Sequence, residues 1–108
     1  MKNGKLTKNR ASVPHDEVMV RRLRKDPVFA AEYLKAAMED TEEPKVLLIA
    51  LRHLAEAKGG VAKIAKAANI QRESLYRALS SRGNPRLSTL MAVTKALGLT
   101  LTVEPANA

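Results

Sequence analysis

Six polar side chains crowd one short stretch of this chain: Gln71, Arg72, Glu73, Ser74, Tyr76 and Arg77. Among them Leu75, Ala78 and Leu79 recur at helical spacing, so the stretch reads as a short helix with its apolar residues turned inward. The polar residues are then left outside, where packing makes no use of them. Arginine can donate two parallel hydrogen bonds to one acceptor pair, glutamine can donate and accept together, and a carboxylate accepts from amines. Those are the bonds with which a protein reads base edges, and an α-helix is the element that fits a DNA major groove.

Such a helix must be held rigidly by another. Just upstream, Val61 to Asn69 places Ile64, Ala65 and Ala68 on one helical face. Two helices crossing steeply over a short turn need a small residue at their contact, and Ala65 meets that need. Asn69 stands where the first helix must stop, because asparagine tolerates the left-handed conformation of a helix end. Ile70 plugs the corner. Residues 61–79 therefore form a helix-turn-helix pattern whose second helix is a candidate groove reader. Any two short amphipathic helices in a bundle would show similar spacing, so two merely packed helices are the bland alternative.

Charge favours the sharper reading. The 108-residue chain carries a net +8, unevenly distributed. Residues 1–25 hold eight Lys/Arg against two acids, residues 26–44 one against six, and residues 58–86 seven against Glu73 alone. A basic patch on a groove-reading element is the electrostatic footprint of nucleic-acid binding.

Composition bounds the rest. Aromatic residues are 3% with no Trp, so the core must be aliphatic, which favours a small helical bundle over a β-sandwich. Without Cys there is neither a disulfide frame nor a thiolate metal site. No apolar run approaches a membrane span, and the basic N-terminus lacks a hydrophobic signal segment, so the expectation is a cytoplasmic protein.

In chain order, residues 1–12 read as a basic arm, either an inert tail or a contact for DNA or a partner. Val13 to Lys25 suits a short helix with Pro14 in its first turn and Val18, Met19 and Leu23 buried, although a strand also fits. Asp26-Pro27 marks a capped helix start; Ala30, Leu34, Ala37 and Met38 follow on one face, with Phe29 and Tyr33 as an i, i+4 pair beside them. The helix ends in the acidic run Glu39, Asp40, Glu42 and Glu43, a solvated end or a dock for a basic partner. The next helix, Pro44 to Lys58, turns Leu47, Leu48, Leu51, Leu54 and Ala55 inward and stops at Gly59-Gly60; Val46 and Ile49 form a second strip beneath the preceding helix or at an interface. After Leu79, the turn Ser80 to Arg86 carries Arg82 and Arg86 as candidate phosphate contacts. Ser88 is expected to cap a last helix through Leu97, with Leu90, Met91, Val93, Thr94 and Leu97 closing the core and Gly98 ending it. Leu99 to Val103 alternates apolar and polar like a strand, which needs a partner edge from a second copy, the N-terminal arm or another protein.

The stretch SLYRALSSRGNPRLSTLMAVTKALGL, Ser74 to Leu99, resembles the addiction-module antidote family, and DPVFAAEYLKAAMED, Asp26 to Asp40, is similar to its N-terminal helix. The resemblance spans about Asp26 to Val103. It implies a repressor-like (XRE-type) bundle of about five helices; with it, the residues themselves give an all-α chain carrying an N-terminal helical extension (1–25) outside the resemblance, a short C-terminal strand and a tail (104–108). It also implies homodimerisation, neutralisation of a RelE- or ParE-like toxin, and repression of its own operon by binding double-stranded operator DNA. By position, base contacts would fall on Arg72, Glu73 and Arg77, with Gln71 and Ser74 beside the backbone or base edges. Phosphate contacts would fall on Lys63, Lys66, Arg82 and Arg86. Toxin contacts are expected at Phe29, Tyr33, Glu39, Asp40, Glu42 and Glu43. Asn69 stands where the family usually has a turn Gly. A free-standing regulator without a toxin is the alternative.

Other chemistry finds no support. His15 and His53 are isolated, and Gly59-Gly60-Val61 lacks the lysine-bearing form of a phosphate loop. No metal site, cofactor or enzyme is expected.

Overall fold

The step from Asp26 to Pro27 is built as the residue types dictate. The Asp26 carboxylate accepts a hydrogen bond of 3.0 Å from the Phe29 N–H. Pro27 takes the first helical position of α2 (Pro27–Glu39), where a missing N–H costs nothing. This computed structural model describes residues 17–39 and 42–106. Helix α1 (17–25) precedes α2; α3 (Pro44–Ala57), α4 (Val61–Ala67), α5 (Arg72–Ala78) and α6 (Leu87–Ala96) follow. The fold is all-helical, with six helices and no strand among the described residues. Expectations placed on residues 1–16, among them the basic arm, Pro14 and His15, and those on Asp40, lie outside the described residues.

Three helices stop by the same device. At the ends of α3, α4 and α6, Gly59 (φ 110°), Asn69 (φ 59°) and Gly98 (φ 79°) turn left-handed. The residue after each sends its N–H back five positions: Gly60 to Ala55, Ile70 to Ala65 and Leu99 to Thr94, at 2.8, 2.8 and 3.0 Å. This double-bonded stop satisfies carbonyls that the helix itself leaves open. Asn69 thus does the work that glycine does at the other two ends.

The core is aliphatic. Leu23, Leu34, Leu48, Leu51, Leu54, Ile64, Leu75, Leu79, Val93 and Leu97 are buried together, with alanines filling the gaps. Helix α3 packs against α2 and α4, and α4 also touches α5 and α6, so the short α4 is the hub of the C-terminal half. Helix α1 joins through Leu23 and through Arg24, whose Nε donates to the Ala57 carbonyl at the end of α3 (3.1 Å). Thr94 is the buried polar residue among those described, and its hydroxyl donates to the Leu90 carbonyl.

Several expectations are corrected. Leu99 to Val103 has no regular secondary structure, because no described segment lies alongside to share its ladder. It runs past α2 instead, where Leu34, Lys35, Met38, Leu99, Leu101 and Glu104 border a groove of about 380 Å³. Lys35 and Glu104 pair across it at 3.1 Å, and that hydrogen bond, followed by the carboxylate's charge, raises the Lys35 pKa above its ordinary value. Helix α6 starts at Leu87, with Arg86 in the capping position and no side-chain cap, so Ser88 is not the cap. Val18, Met38 and Met91, expected inside, are exposed, as is Ile49.

Candidate nucleic-acid interface

Helix α4 and the four residues after it aim helix α5. Ala65 is 1% exposed, the small buried residue that a close contact needs. Through the turn, Ile70 is half-buried against the core and Gln71, in extended conformation, opens α5. Leu75 and Leu79 are then fully buried, at 0% and 1%. Two leucines four residues apart lock the rotation of a seven-residue helix, and its outer face follows from that.

Gln71, Arg72, Glu73, Tyr76 and Arg77 are exposed on that face. Ser74 is half-buried, so it stands at the edge of the surface rather than on it. Arg72 meets Glu73 at 3.8 Å with both side chains mostly in solvent. A pair like that contributes little and yields readily to another partner. Arg77 makes no ion pair with a described residue, and the same holds for Lys63, Lys66, Arg82 and Arg86, all exposed. The outer surface of α4 and α5, with the turn that follows, is therefore a group of cations not committed to internal carboxylates.

Two positioning residues were not singled out from the sequence. The Ser80 hydroxyl donates to the Arg77 carbonyl at 2.8 Å, closing the end of α5. Gly83 lies so close beneath α5 that a Cβ there would overlap the Ala78 carbonyl and come 2.8 Å from the Arg77 oxygen. The signal was present as a glycine just past a helix, but sequence alone does not say which backbone it approaches. Together these contacts fold the turn carrying Arg82 and Arg86 back against the end of α5.

The residues expected to face a toxin divide. Phe29 and Tyr33 are half-buried in the joint of α1, α2 and α3: their rings stack at 6.2 Å, the Arg22 guanidinium sits 3.8 Å above Phe29, and Tyr33 shares a 2.7 Å hydrogen bond with His53 Nδ1. They are built into packing rather than presented. Glu39, Glu42 and Glu43 are exposed. No group of His, Cys, Asp or Glu that could hold a metal occurs among the described residues, and no described helix is long and apolar enough to cross a membrane.

A family profile described as "Probable addiction module antidote protein" matches residues 18–105. The chain belongs to that antidote family. It is also 40% identical over 72 residues to an uncharacterized protein of Haemophilus influenzae, an alignment covering 67% of this chain and 72% of that relative. No solved structure matches the chain. Membership in an antidote family implies a toxin partner in general and suggests a regulatory protein. The matched region takes in all five helices from α2 to α6 of this antidote and most of α1.

Proposed function

We propose that this antidote, acting in the cytoplasm as a homodimer, neutralises a RelE/ParE-like toxin by direct contact and represses its own operon by sequence-specific DNA binding. Helices α4 and α5 serve as a repressor-type helix-turn-helix, with α5 in the major groove. The observation that carries the DNA half is the outer face of α5: Arg72 and Arg77 exposed on a helix whose inner leucines fix its rotation. Arg72 or Arg77 pairs bidentately with guanine O6 and N7, and Glu73, Gln71 and Ser74 add bonds to neighbouring edges. Lys63, Lys66, Arg82 and Arg86 neutralise phosphates along the flanks. For the toxin, the acidic run Glu39, Asp40, Glu42 and Glu43 suits a basic partner surface.

The test is fluorescence anisotropy of the full chain on DNA from upstream of its own gene, read at several salt concentrations. Arg77→Ala should weaken operator binding by roughly 1–3 kcal/mol and relax preference at one base pair. Arg82→Ala should weaken binding evenly across sequences and lower the salt slope by about one. Untouched affinity and base preference in Arg77→Ala would remove α5 from the groove. For the inhibitory half, co-purification with the neighbouring gene's product decides whether a toxin is bound at all.

A further inference from the structure

The segment after α6 is unfinished as a monomer. Leu99 donates its N–H to Thr94, but no N–H or C=O from Thr100 to Val103 joins a backbone hydrogen bond with a described residue. Thr100 and Thr102 are exposed, Leu101 is half-buried toward α2, and Val103 is 94% exposed. Four residues of alternating character with free backbone groups form an edge that takes another strand.

The pattern itself indicates which strand. Leu99-Thr100-Leu101-Thr102-Val103 has the same apolar-polar order in either direction about Leu101. In an antiparallel pair of two copies centred there, Leu101 meets Leu101, Leu99 meets Val103, and Thr100 meets Thr102. Apolar pairs then share one face and threonine pairs the other, both favourable cross-strand combinations. Charge agrees. No charged residue lies within 99–103, and Glu104 just beyond is neutralised by Lys35 of the same copy. Pro105, lacking an N–H, ends the ladder.

We propose that Leu99 to Val103 is the homodimer seam, two copies of this chain pairing antiparallel about Leu101. The seam covers Val103 and extends the apolar border of the α2 groove, where Met38 is also exposed. The proposal deepens the homodimer of the proposed function by naming its interface and register.

The register makes the test specific. In the full chain, Thr100→Glu with Thr102→Glu sets carboxylates directly opposite one another twice across the seam. Thr100→Lys with Thr102→Glu sets opposite charges face to face at the same two places. Both threonines are exposed, so thermal unfolding of either variant at low concentration should match the parent chain. Sedimentation equilibrium should find a dimer for the parent, dissociation on the order of tenfold easier for the double-glutamate variant, and recovery in the lysine–glutamate variant. A monomeric parent, an unaffected double-glutamate variant, or a lysine–glutamate variant as weak as the double-glutamate one would each overturn the seam. So would a monomeric parent whose toxin binding fails in these variants, which assigns the edge to the toxin. DNA binding is read separately: a dimer indifferent to operator sequence sinks the DNA reading and leaves the seam, and a monomer that reads operator does the reverse.

Discussion

Leu75→Ala should destabilise the chain by roughly 2–5 kcal/mol, whereas Tyr76→Ala, one residue on, should change stability by no more than about 0.5 kcal/mol. Leu75 is 0% exposed and Tyr76 51%, so the first substitution leaves a cavity in the core and the second removes atoms from solvent. Domains of this kind are stable by only about 5–15 kcal/mol, so the loss is a large fraction of the total. Thermal unfolding followed by far-UV circular dichroism should show a midpoint lower by ~10 °C or more for Leu75→Ala and little change for its neighbour. The contrast tests the rotation of α5 directly. Equal effects would mean that the arginines do not face outward as a set, and the groove-reading proposal would fall with them.

Gly83→Ala is the second large effect, and its cause is different. The added methyl meets the carbonyls of Ala78 and Arg77, which are backbone atoms in the last turn of α5 and cannot swing aside like a side chain. Relief requires the turn to lift away from the helix or the helix to lose its last turn. Overpacking of this kind typically costs about 1–3 kcal/mol, and with two backbone oxygens involved the upper end is expected. The turn carries Arg82 and Arg86, so DNA binding should weaken beyond the effect of either Arg→Ala change. Chemical denaturation and anisotropy on the same preparation separate the two losses. A stable Gly83→Ala chain with full DNA affinity would show that the turn is not packed against α5.

Much of this architecture was legible where a residue type has few physical alternatives. Asp26 before Pro27 has one natural use, and the Phe29 N–H is where a capping carboxylate delivers its bond. Asn69 between two amphipathic stretches can serve a left-handed stop, and it does at φ 59°. The outer residues of α5 follow once Leu75 and Leu79 are taken as inner, and only Ser74 strays, at the margin of the arc. What was not legible depends on neighbours distant in sequence. Met38 and Met91 sit on nominally apolar faces, but no described helix covers them fully. Phe29 and Tyr33 read as an i, i+4 pair and as toxin contacts, but Arg22 and His53, on other helices, pack against them. Alternation marked Leu99 to Val103 as a strand, yet a ladder is a property of two segments, and one chain supplies only one. Ser88 lost the capping position because propensity places a helix start only to within a residue or two.

With no Trp and two Tyr, the molecule carries two natural phenol labels in unlike surroundings. Tyr33 is hydrogen-bonded at the α1–α2–α3 joint, and Tyr76 is half in solvent on α5. A nucleic acid seated on α5 should perturb the ring resonances of Tyr76 and leave those of Tyr33 nearly still. A partner docked at the acidic end of α2, where Glu39 is exposed, should leave Tyr76 unmoved. One-dimensional spectra of the unlabelled chain can therefore report whether a visitor has taken the α5 face.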